Sequence, residues 1–273
     1  MKKGSLAIFV LLACLVCCES GIAQTIAVAA GNTRQSSGGP DKVFYQADSN
    51  APDKWRYFLE PYLMFPNMHG KVGLGNLPDA AVDENPSDIF NNLQIGVMFY
   101  GEAYSNFWVI TSDLTYMKLA ADAQSQHGIL FGNVEVKQTM WELAMMRKLK
   151  PWLEAGLAMQ LNNISSKLDL VINGSGGNRN LSETWVDPSL VVRLKWPVNR
   201  WLFQFRGNAG GFGIGSDFYW QTQAYAGYRF SKVFVLSAGY RIVGFDYEKG
   251  SDSERFLYDM NTFGGVIRLG FNF

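Results

Sequence analysis

The stretch TFGGVIRLGFNF, residues 262–273, decides the fold. Its odd-numbered positions, beginning with Phe263 and ending with Phe273, form an apolar face, and its even-numbered positions include Thr262, Arg268 and Asn272. This alternation with a period of two predicts a β-strand with one apolar and one polar face. A strand left unpaired at the end of a chain is prone to aggregation, so the pattern predicts a strand that pairs and closes a sheet.

The amino terminus has the three parts of a secretory signal peptide. Lys2 and Lys3 supply the positive charge, Leu6 to Cys18 is an uninterrupted apolar run, and Gly21-Ile22-Ala23 has small residues at the cleavage-determining positions. We therefore expect residues 1–23 to be a signal peptide that is cleaved after Ala23. The rival interpretation is a lipoprotein signal ending at Cys14, but the apolar run continues beyond that cysteine.

Composition excludes several classes of function. All three cysteines lie within the signal peptide, so the mature chain is expected to have no disulfide, no thiol catalysis and no cysteine metal site. Lys plus Arg and Asp plus Glu each number 24, and this balance argues against a nucleic-acid partner. The sequence contains no motif for a cofactor or a metal ion, and we expect none.

The rest of the chain divides into a polar leader and a series of strands. Residues 24–52 are rich in Gly, Ser and Asn and are expected to be a flexible periplasmic leader, followed by one barrel domain over 53–273. Ten runs have strand character: 54–66, 91–104, 107–119, 133–148, 151–164, 184–196, 200–209, 218–230, 233–247 and 257–273.

The connections between these runs alternate strictly between short and long. This alternation predicts an all-β fold, a closed antiparallel up-and-down transmembrane β-barrel of ten strands, with short periplasmic turns and longer outer loops. Twelve strands remain possible if 67–75 and part of 165–183 add a hairpin. An even number of strands places both ends of the barrel in the periplasm.

One face of the strands is continuously apolar and is expected to contact lipid. Aromatic residues crowd the short turns and predict a belt at the membrane–water interface. The tryptophans of this aromatic belt are Trp55, Trp108, Trp152, Trp196 and Trp201. A soluble sandwich would leave a wet face rich in Lys, Glu and Thr, whereas here the apolar face is the continuous one.

The opposite face carries the charges, and these are sorted by sign along the chain. The acidic residues of strands 1 to 6 are Glu60, Glu102, Asp113, Glu142, Glu154 and Asp187. The arginines of strands 6 to 10 are Arg193, Arg206, Arg229, Arg241 and Arg268. We expect both sets to face the lumen, with Glu60 near Arg268 where the first and last strands pair.

Three functions are considered for such a barrel, two that depend on the lumen and one that depends on an outer loop. In the first, the charges pair across the interior and fill it, as buried charges and the small width of ten strands favour. In the second, the opposed walls leave a narrow porin-like path for ions or small solutes. In the third, His127 and Asp122 in an outer loop form the site of a hydrolase. An isolated loop histidine is usually a solvated surface residue, so we expect no catalytic residues and no enzyme.

Several motifs together resemble those of small bacterial outer-membrane β-barrel proteins of the porin-family and OmpA-like type. They are Glu60-Pro61-Tyr62-Leu63, Trp185-Val186-Asp187-Pro188, the glycine-rich stretch Gly210 to Asp217 with Trp220-Gln221, Gly227-Tyr228-Arg229-Phe230 and Gly239-Tyr240-Arg241. The glycine-rich stretch lacks the helix and the Lys-Ser/Thr of a phosphate loop and predicts a tight outer hairpin.

This resemblance implies that the protein is located in the envelope of a Gram-negative bacterium, and it implies little about activity. It implies the outer membrane as the location, with membrane lipid and lipopolysaccharide as surroundings. It further implies that Phe273 is the assembly signal read by the barrel-assembly machinery, with periplasmic chaperones as partners during biogenesis.

Overall fold

The structure, a computed structural model, describes residues 54–76, 78–124, 130–172 and 175–273, with side chains described outside 122–133 and 168–179. The signal peptide and the leader predicted for residues 1–52 lie outside the described residues. Within the described ranges, no helix has both the length and the apolar character needed to cross a membrane.

The described residues form eleven strands and one α-helix, which follow one another in chain order. They are β1 (Arg56–Leu74), β2 (Ala80–Glu84), α1 (Pro86–Asn92), β3 (Leu93–Tyr104), β4 (Trp108–Gln124), β5 (Leu130–Lys150), β6 (Leu153–Ile172), β7 (Ser175–Val198), β8 (Trp201–Gly211), β9 (Phe218–Arg229), β10 (Phe234–Lys249) and β11 (Phe256–Asn272). A single turn of 3-10 helix, Asp252–Glu254, precedes β11.

Ten of these strands form a closed antiparallel barrel, which confirms the predicted fold and strand number. Each strand pairs with its neighbours in chain order, and β11 pairs with β1 from Phe58–Asn272 to Leu74–Phe256. The additional strand, β2, pairs only with the outer part of β1, from Met68–Glu84 to Val72–Ala80. Closure gives every barrel strand two neighbours, so the first and the last barrel strand pair with each other instead of leaving two open edges.

Several strands, above all β4 to β7, are longer than the sequence analysis predicts. β7 has 24 residues, about 80 Å of extended chain, whereas a transmembrane β-strand needs about 9–11 residues. Most of the predicted outer connections 120–132 and 165–183 are continuations of β4 to β7. The barrel therefore extends well beyond the thickness of a bilayer on the side opposite the short turns.

The apolar and polar faces exchange places along the strands. In β1, the outward-facing Leu63 and Phe65 are apolar, whereas His69 and Lys71, further along the same face, are polar. On the inner face the charged Glu60 is followed by a series of apolar side chains: Met64, Met68 and Val72. We call the part with an apolar exterior the membrane band and the part with a polar exterior the outer extension.

The exterior of the membrane band is a continuous girdle of exposed apolar side chains. They include Leu59, Leu63, Phe65, Ile95, Val97, Phe99, Trp141, Leu143, Met145, Leu157, Met159, Leu190, Val192, Phe203, Phe205, Tyr240, Ile267 and Leu269. Leu157 has 66% of its surface exposed, which is unfavourable in water but favourable in contact with lipid hydrocarbon.

The outer extension is built like a soluble barrel, with its apolar core inside. Trp185 stacks on Tyr247 with ring centroids 4.2 Å apart, and Tyr219 stacks on Phe245 at 5.0 Å. Methionines and branched residues complete this core: Met64, Met68, Val72, Met117, Leu119, Val134, Val136, Met140, Ile164, Val243 and Met260. The sequence analysis did not predict this apolar core, which fills the lumen beyond the predicted charges.

The exterior of the outer extension carries ion pairs. Lys118 lies 2.7 Å and Lys137 3.0 Å from the Glu135 carboxylate, on the outer face of β4 and β5. The hydrogen bonds from these two lysines lower the pKa of Glu135 below its ordinary value. Such a partly exposed cluster belongs in water, since lipid would penalise each charge by several kcal/mol.

The wall is interrupted between β1 and β3, and α1 fills the interruption. Pairing of β1 with β3 ends at Pro61–Phe99, and pairing of β1 with β2 begins at Met68. Asn85 caps α1 by accepting hydrogen bonds from the amides of the first turn, and Pro86 starts the helix. Ile89 is buried in the apolar core, while the ring of Phe90 packs edge-on against Phe65 at 5.8 Å.

The boundary of the membrane band can be tested on β5, where Leu143 and Thr139 both face outward. A lysine at Leu143 would lie in lipid and should lower the free energy of unfolding by about 2–4 kcal/mol. The matched Thr139→Lys substitution lies in the outer extension and should change it by less than about 0.5 kcal/mol. Urea unfolding in lipid vesicles measures both, and equal losses would show that the band does not end between these positions.

Candidate functional site: the charged lumen and its periplasmic vestibule

The predicted lumen charges lie inside the membrane band. All of them except Arg229 are buried, and Arg193, Arg206 and Arg268 are among the largest fully buried side chains of the protein. Arg229 lies at the mouth of the barrel on the short-turn side. Isolated charges could not remain at such positions, so the contacts between them decide what the lumen can do.

The group of charges nearest the short turns joins β3, β6 and β7. Arg193 Nη1 lies 2.5 Å from Glu102 Oε2, and its Nε donates to Glu154 Oε2 at 2.6 Å. Lys195 Nζ donates to Glu154 Oε1 at 3.1 Å. The hydroxyl of Tyr100 donates to Glu102 at 2.7 Å. Because β3 and β7 are not neighbours in the wall, the ion pair between Arg193 and Glu102 crosses the lumen, whereas Glu154 lies on β6, beside β7.

A second group surrounds Arg268 and contains the contact predicted between the first and last strands. Arg268 Nη1 lies 3.2 Å from Glu60 Oε2, which confirms that contact. The guanidinium also lies 4.1 Å from the ring centre of Tyr225, 4.9 Å from that of Tyr100 and 5.0 Å from that of Tyr62. A desolvated cation among aromatic faces gains cation–π stabilisation in addition to its ion pair.

Arg241 and Arg206 form the next contacts toward the outside. Arg241 Nη1 lies 3.3 Å from Asp113 Oδ2 and donates to the Tyr62 hydroxyl at 2.7 Å. Arg206 pairs with Glu142 from across the lumen. The other Glu142 oxygen accepts from Asn208 at 2.7 Å and from Gln221 at 3.0 Å. These bonds satisfy both carboxylate oxygens, as a buried charge requires.

Asp187 binds the glycine-rich stretch and ends the charged part of the lumen. Its carboxylate accepts hydrogen bonds from the Ser216 backbone amide at 2.5 Å, from Trp185 Nε1 at 3.0 Å and from Asn162 at 3.1 Å. At Gly215, an added Cβ would lie 2.3 Å from the Val186 carbonyl oxygen, so only glycine fits. The stretch is the predicted tight hairpin, but its contact with Asp187 was not foreseen.

The sign sorting seen in the sequence therefore has a simple structural result. Acidic residues on β1 and β3 to β7 face arginines on β7 to β11, and the two sets meet in the lumen instead of lining separate walls. Sequence reasoning placed the charges on the correct face of each strand. It could not tell whether the walls approach closely enough for direct contact.

On the short-turn side of this network the lumen widens into a cavity of about 600 Å³, which we call the vestibule. Its floor includes Glu60, Tyr100, Tyr225 and Arg268, which belong to the charged network. Its mouth is formed by the ends of the barrel strands and by two short turns, with these residues: Arg56, Asn199, Arg200, Arg229, Phe230, Ser231, Lys232 and Phe273. The sequence analysis did not identify this cavity.

The predicted belt and assembly-signal residues lie at the same end. Trp55, Trp152, Trp196 and Trp201 are each between 44% and 48% exposed on the exterior. Trp108 lies beneath the Arg147 guanidinium, 5.4 Å from its ring centre. Phe273 is 72% exposed, and its backbone amide donates to the Tyr57 carbonyl at 2.9 Å.

The histidine site considered for a hydrolase is described only in part. His127 and Asp122 lie outside the residues whose side chains are described. The other histidine, His69, lies 3.8 Å from Asp83 on the surface of the outer extension, where both side chains are more than two-thirds exposed. An exposed pair of this kind lacks the burial that tunes catalytic groups.

Comparison with known proteins gives a similarity of fold. No protein-family model and no curated protein sequence matches this chain. Among solved structures, the outer membrane protease OmpT from Escherichia coli is similar, with a TM-score of 0.51 at 9% identity over 80% of this chain and 97% of OmpT.

Two further barrels give lower scores. The attachment invasion locus protein Ail of Yersinia pestis has a TM-score of 0.35 at 9% identity, covering 80% of this chain and 98% of Ail. The Pseudomonas putida toluene transporter TodX has a TM-score of 0.30 at 11% identity, covering 81% of this chain and 90% of TodX. The similarity to OmpT shows that the chain has the fold of an outer-membrane β-barrel protein, and at 9% identity it shows nothing about activity.

The ion pair between Arg206 and Glu142 should be costly to break from one side. Arg206→Met would leave a buried carboxylate without its cation and should lower the free energy of unfolding by about 3–5 kcal/mol. Adding Glu142→Gln, which keeps an acceptor for Asn208 and Gln221, should recover a large part of that loss. A double-mutant cycle by urea unfolding in micelles measures this coupling, and additive single losses would contradict it.

Proposed function

We propose that this protein is an integral, non-enzymatic protein of the bacterial outer membrane whose lumen is closed. It acts as an envelope and surface protein, through its outer extension and loops, and conducts no solute. Lipid contacts the apolar girdle, and lipopolysaccharide faces the base of the outer extension. The single observation that carries the proposal is the series of ion pairs that cross the lumen between strands that are not neighbours.

Two successive obstructions support a closed lumen. The first is the charged network, in which Arg193, Arg206 and Arg241 have at most 2% of their surface exposed. The second is the apolar core of the outer extension, where Trp185, Tyr219 and Tyr258 are nearly or completely buried. A solute would have to break the ion pairs and then cross a dry apolar region, and each step carries a large desolvation cost.

The narrow channel remains a second candidate because the vestibule brings water into the lumen from the periplasmic end. Rearrangement of the apolar core inside the outer extension, which is the second obstruction, would turn the vestibule into the entrance of a path. The charged network would then be its constriction, and the ring of arginines and carboxylates would set ion selectivity. The hydrolase is the third candidate, supported only by the presence of His127 and Asp122 close together in the sequence.

Conductance separates the first two candidates. Purified protein in planar bilayers should give no reproducible unitary steps, because ion pairs and an apolar core fill the lumen in series. A porin reconstituted in the same membranes is the positive control. Reproducible steps whose ion selectivity reverses in the Arg206→Glu/Arg241→Glu variant would overturn the closed lumen and establish the channel.

Phe273 provides a test of the proposed assembly route. In Phe273→Ala the backbone bonds to Tyr57 are retained, so refolding into lipid vesicles should proceed as in the native protein. In a Gram-negative cell the same variant should give several-fold less folded barrel, because the assembly signal is the aromatic side chain. The folded fraction is read from the faster migration of unheated barrels on gels, and equal amounts in cells would contradict the route. Phe271→Ala, two residues earlier on the same face, is the matched control.

A further inference from the structure

The vestibule has the size and the composition of a ligand site. Its volume of about 600 Å³ lies within the 300–1,000 Å³ usual for small-molecule sites. It is lined by charged and polar groups near its mouth and its floor and by apolar side chains between them. Nothing in the closed lumen requires so large a cavity, since the charged network beyond it is tightly packed.

Positive charge dominates the mouth. Arg56 begins β1, and Arg200 and Lys232 belong to short turns, so all three lie at the same level of the barrel. No described carboxylate lies within ion-pair distance of any of these three side chains. The deeper Glu60 and Glu102 are already paired, with Arg268 and Arg193. An anion that enters from the periplasm therefore meets three uncompensated cations and no uncompensated acid at the floor.

Apolar and aromatic surfaces lie immediately inside the mouth. Phe58 follows Arg56 by two positions on the same inward face of β1, and Leu202 and Val235 line the cavity at the beginnings of β8 and β10. Tyr104 lies below Arg56, whose guanidinium is 5.9 Å from the ring centre. A simple inorganic ion would leave these surfaces in water, whereas a ligand with an apolar body would cover them.

We propose that the vestibule binds an organic phosphate, with the phosphate held by Arg56, Arg200 and Lys232 and the apolar body against Phe58 and Tyr104. Arginine and lysine together suit a phosphate group, because its three oxygens accept charge-assisted hydrogen bonds from several cations at once. The proposal goes beyond the proposed function and does not depend on whether the lumen conducts. The phosphate can belong to a soluble ester in the periplasm or to a phospholipid of the inner leaflet.

Phenyl phosphate is the probe, titrated calorimetrically into the full chain refolded in uncharged detergent at fixed ionic strength. Saturable binding is expected, at least tenfold tighter than that of inorganic phosphate or of phenol, because each comparator lacks one of the two halves. Equal affinity for phenol would overturn the role of the cations. Equal affinity for inorganic phosphate would overturn the role of the apolar wall.

The variant Arg56→Gln/Lys232→Gln should weaken phenyl phosphate binding at least tenfold, since two charge-assisted contacts are lost. The matched control is Arg147→Gln, which removes a cation at the same end of the barrel, on its exterior over Trp108, and should leave the affinity unchanged. All these residues are exposed, and unchanged gel migration of the unheated variants verifies folding. Equal affinity of the double variant, or no saturable binding of phosphate in any form, would overturn the site.

A second titration, with dihexanoyl phosphatidylglycerol, distinguishes the two sources of phosphate. Binding of this lipid that phenyl phosphate displaces, and that is at least tenfold tighter than phenyl phosphate alone, assigns the site to phospholipid. Weaker lipid binding assigns it to soluble esters. Failure of both titrations would remove the phosphate site while leaving the bilayer test of the closed lumen intact.

Discussion

The pairing of β11 with β1 is the constraint on which the rest of the structure depends. In hydrocarbon each unsatisfied backbone amide or carbonyl costs several kcal/mol, so a spanning sheet must have no free edge. The ladder from Phe58–Asn272 to Leu74–Phe256 removes that edge. Closure fixes which side of each strand faces lipid and which faces the lumen. It also brings Glu60 and Arg268, separated by almost the whole barrel domain, into one ion pair.

Once the barrel is closed, the surroundings decide what fills it. In the membrane band the exterior must be apolar, and the interior is left to charges that pair across the lumen. In the outer extension the exterior meets water and the usual rule of soluble proteins applies, with Trp185, Tyr247 and the methionines inside. The period-two alternation is present in both regions, but the apolar side chains face outward in the membrane band and inward in the outer extension. The lumen is therefore polar inside the membrane band and apolar inside the outer extension, and the vestibule opens at the short-turn end.

Much of this fold could be predicted from the sequence, and the features that were not predicted were missed for physical reasons. Period-two patterns, paired short turns and the terminal Phe273 are local features, so strand number, order and closure were accessible. The exchange of faces was missed because alternation has the same period on either side of it, and only the environment differs. Residues such as Met68 and Val72 therefore resembled a loop after a strand. α1 was missed because seven residues are too few for a helical pattern. The vestibule is formed by residues from seven strands and two turns, and no local pattern in the sequence shows that they come together.

The interrupted ladder between β1 and β3 makes this part of the barrel wall the easiest to deform. The described ladder joins these strands only from Arg56–Tyr104 to Pro61–Phe99, much less than the ladder that unites the two ends of the chain. Where this ladder is absent, the short helix α1 fills the wall, and it is held mainly by the packing of Ile89 and Phe90. Under lateral pressure from the bilayer, or under a pulling force, the circumference should yield first beside α1. The ladder between the first and the last barrel strand is thus the stiffer joint of the barrel, and the more compliant joint lies on the other side of β1.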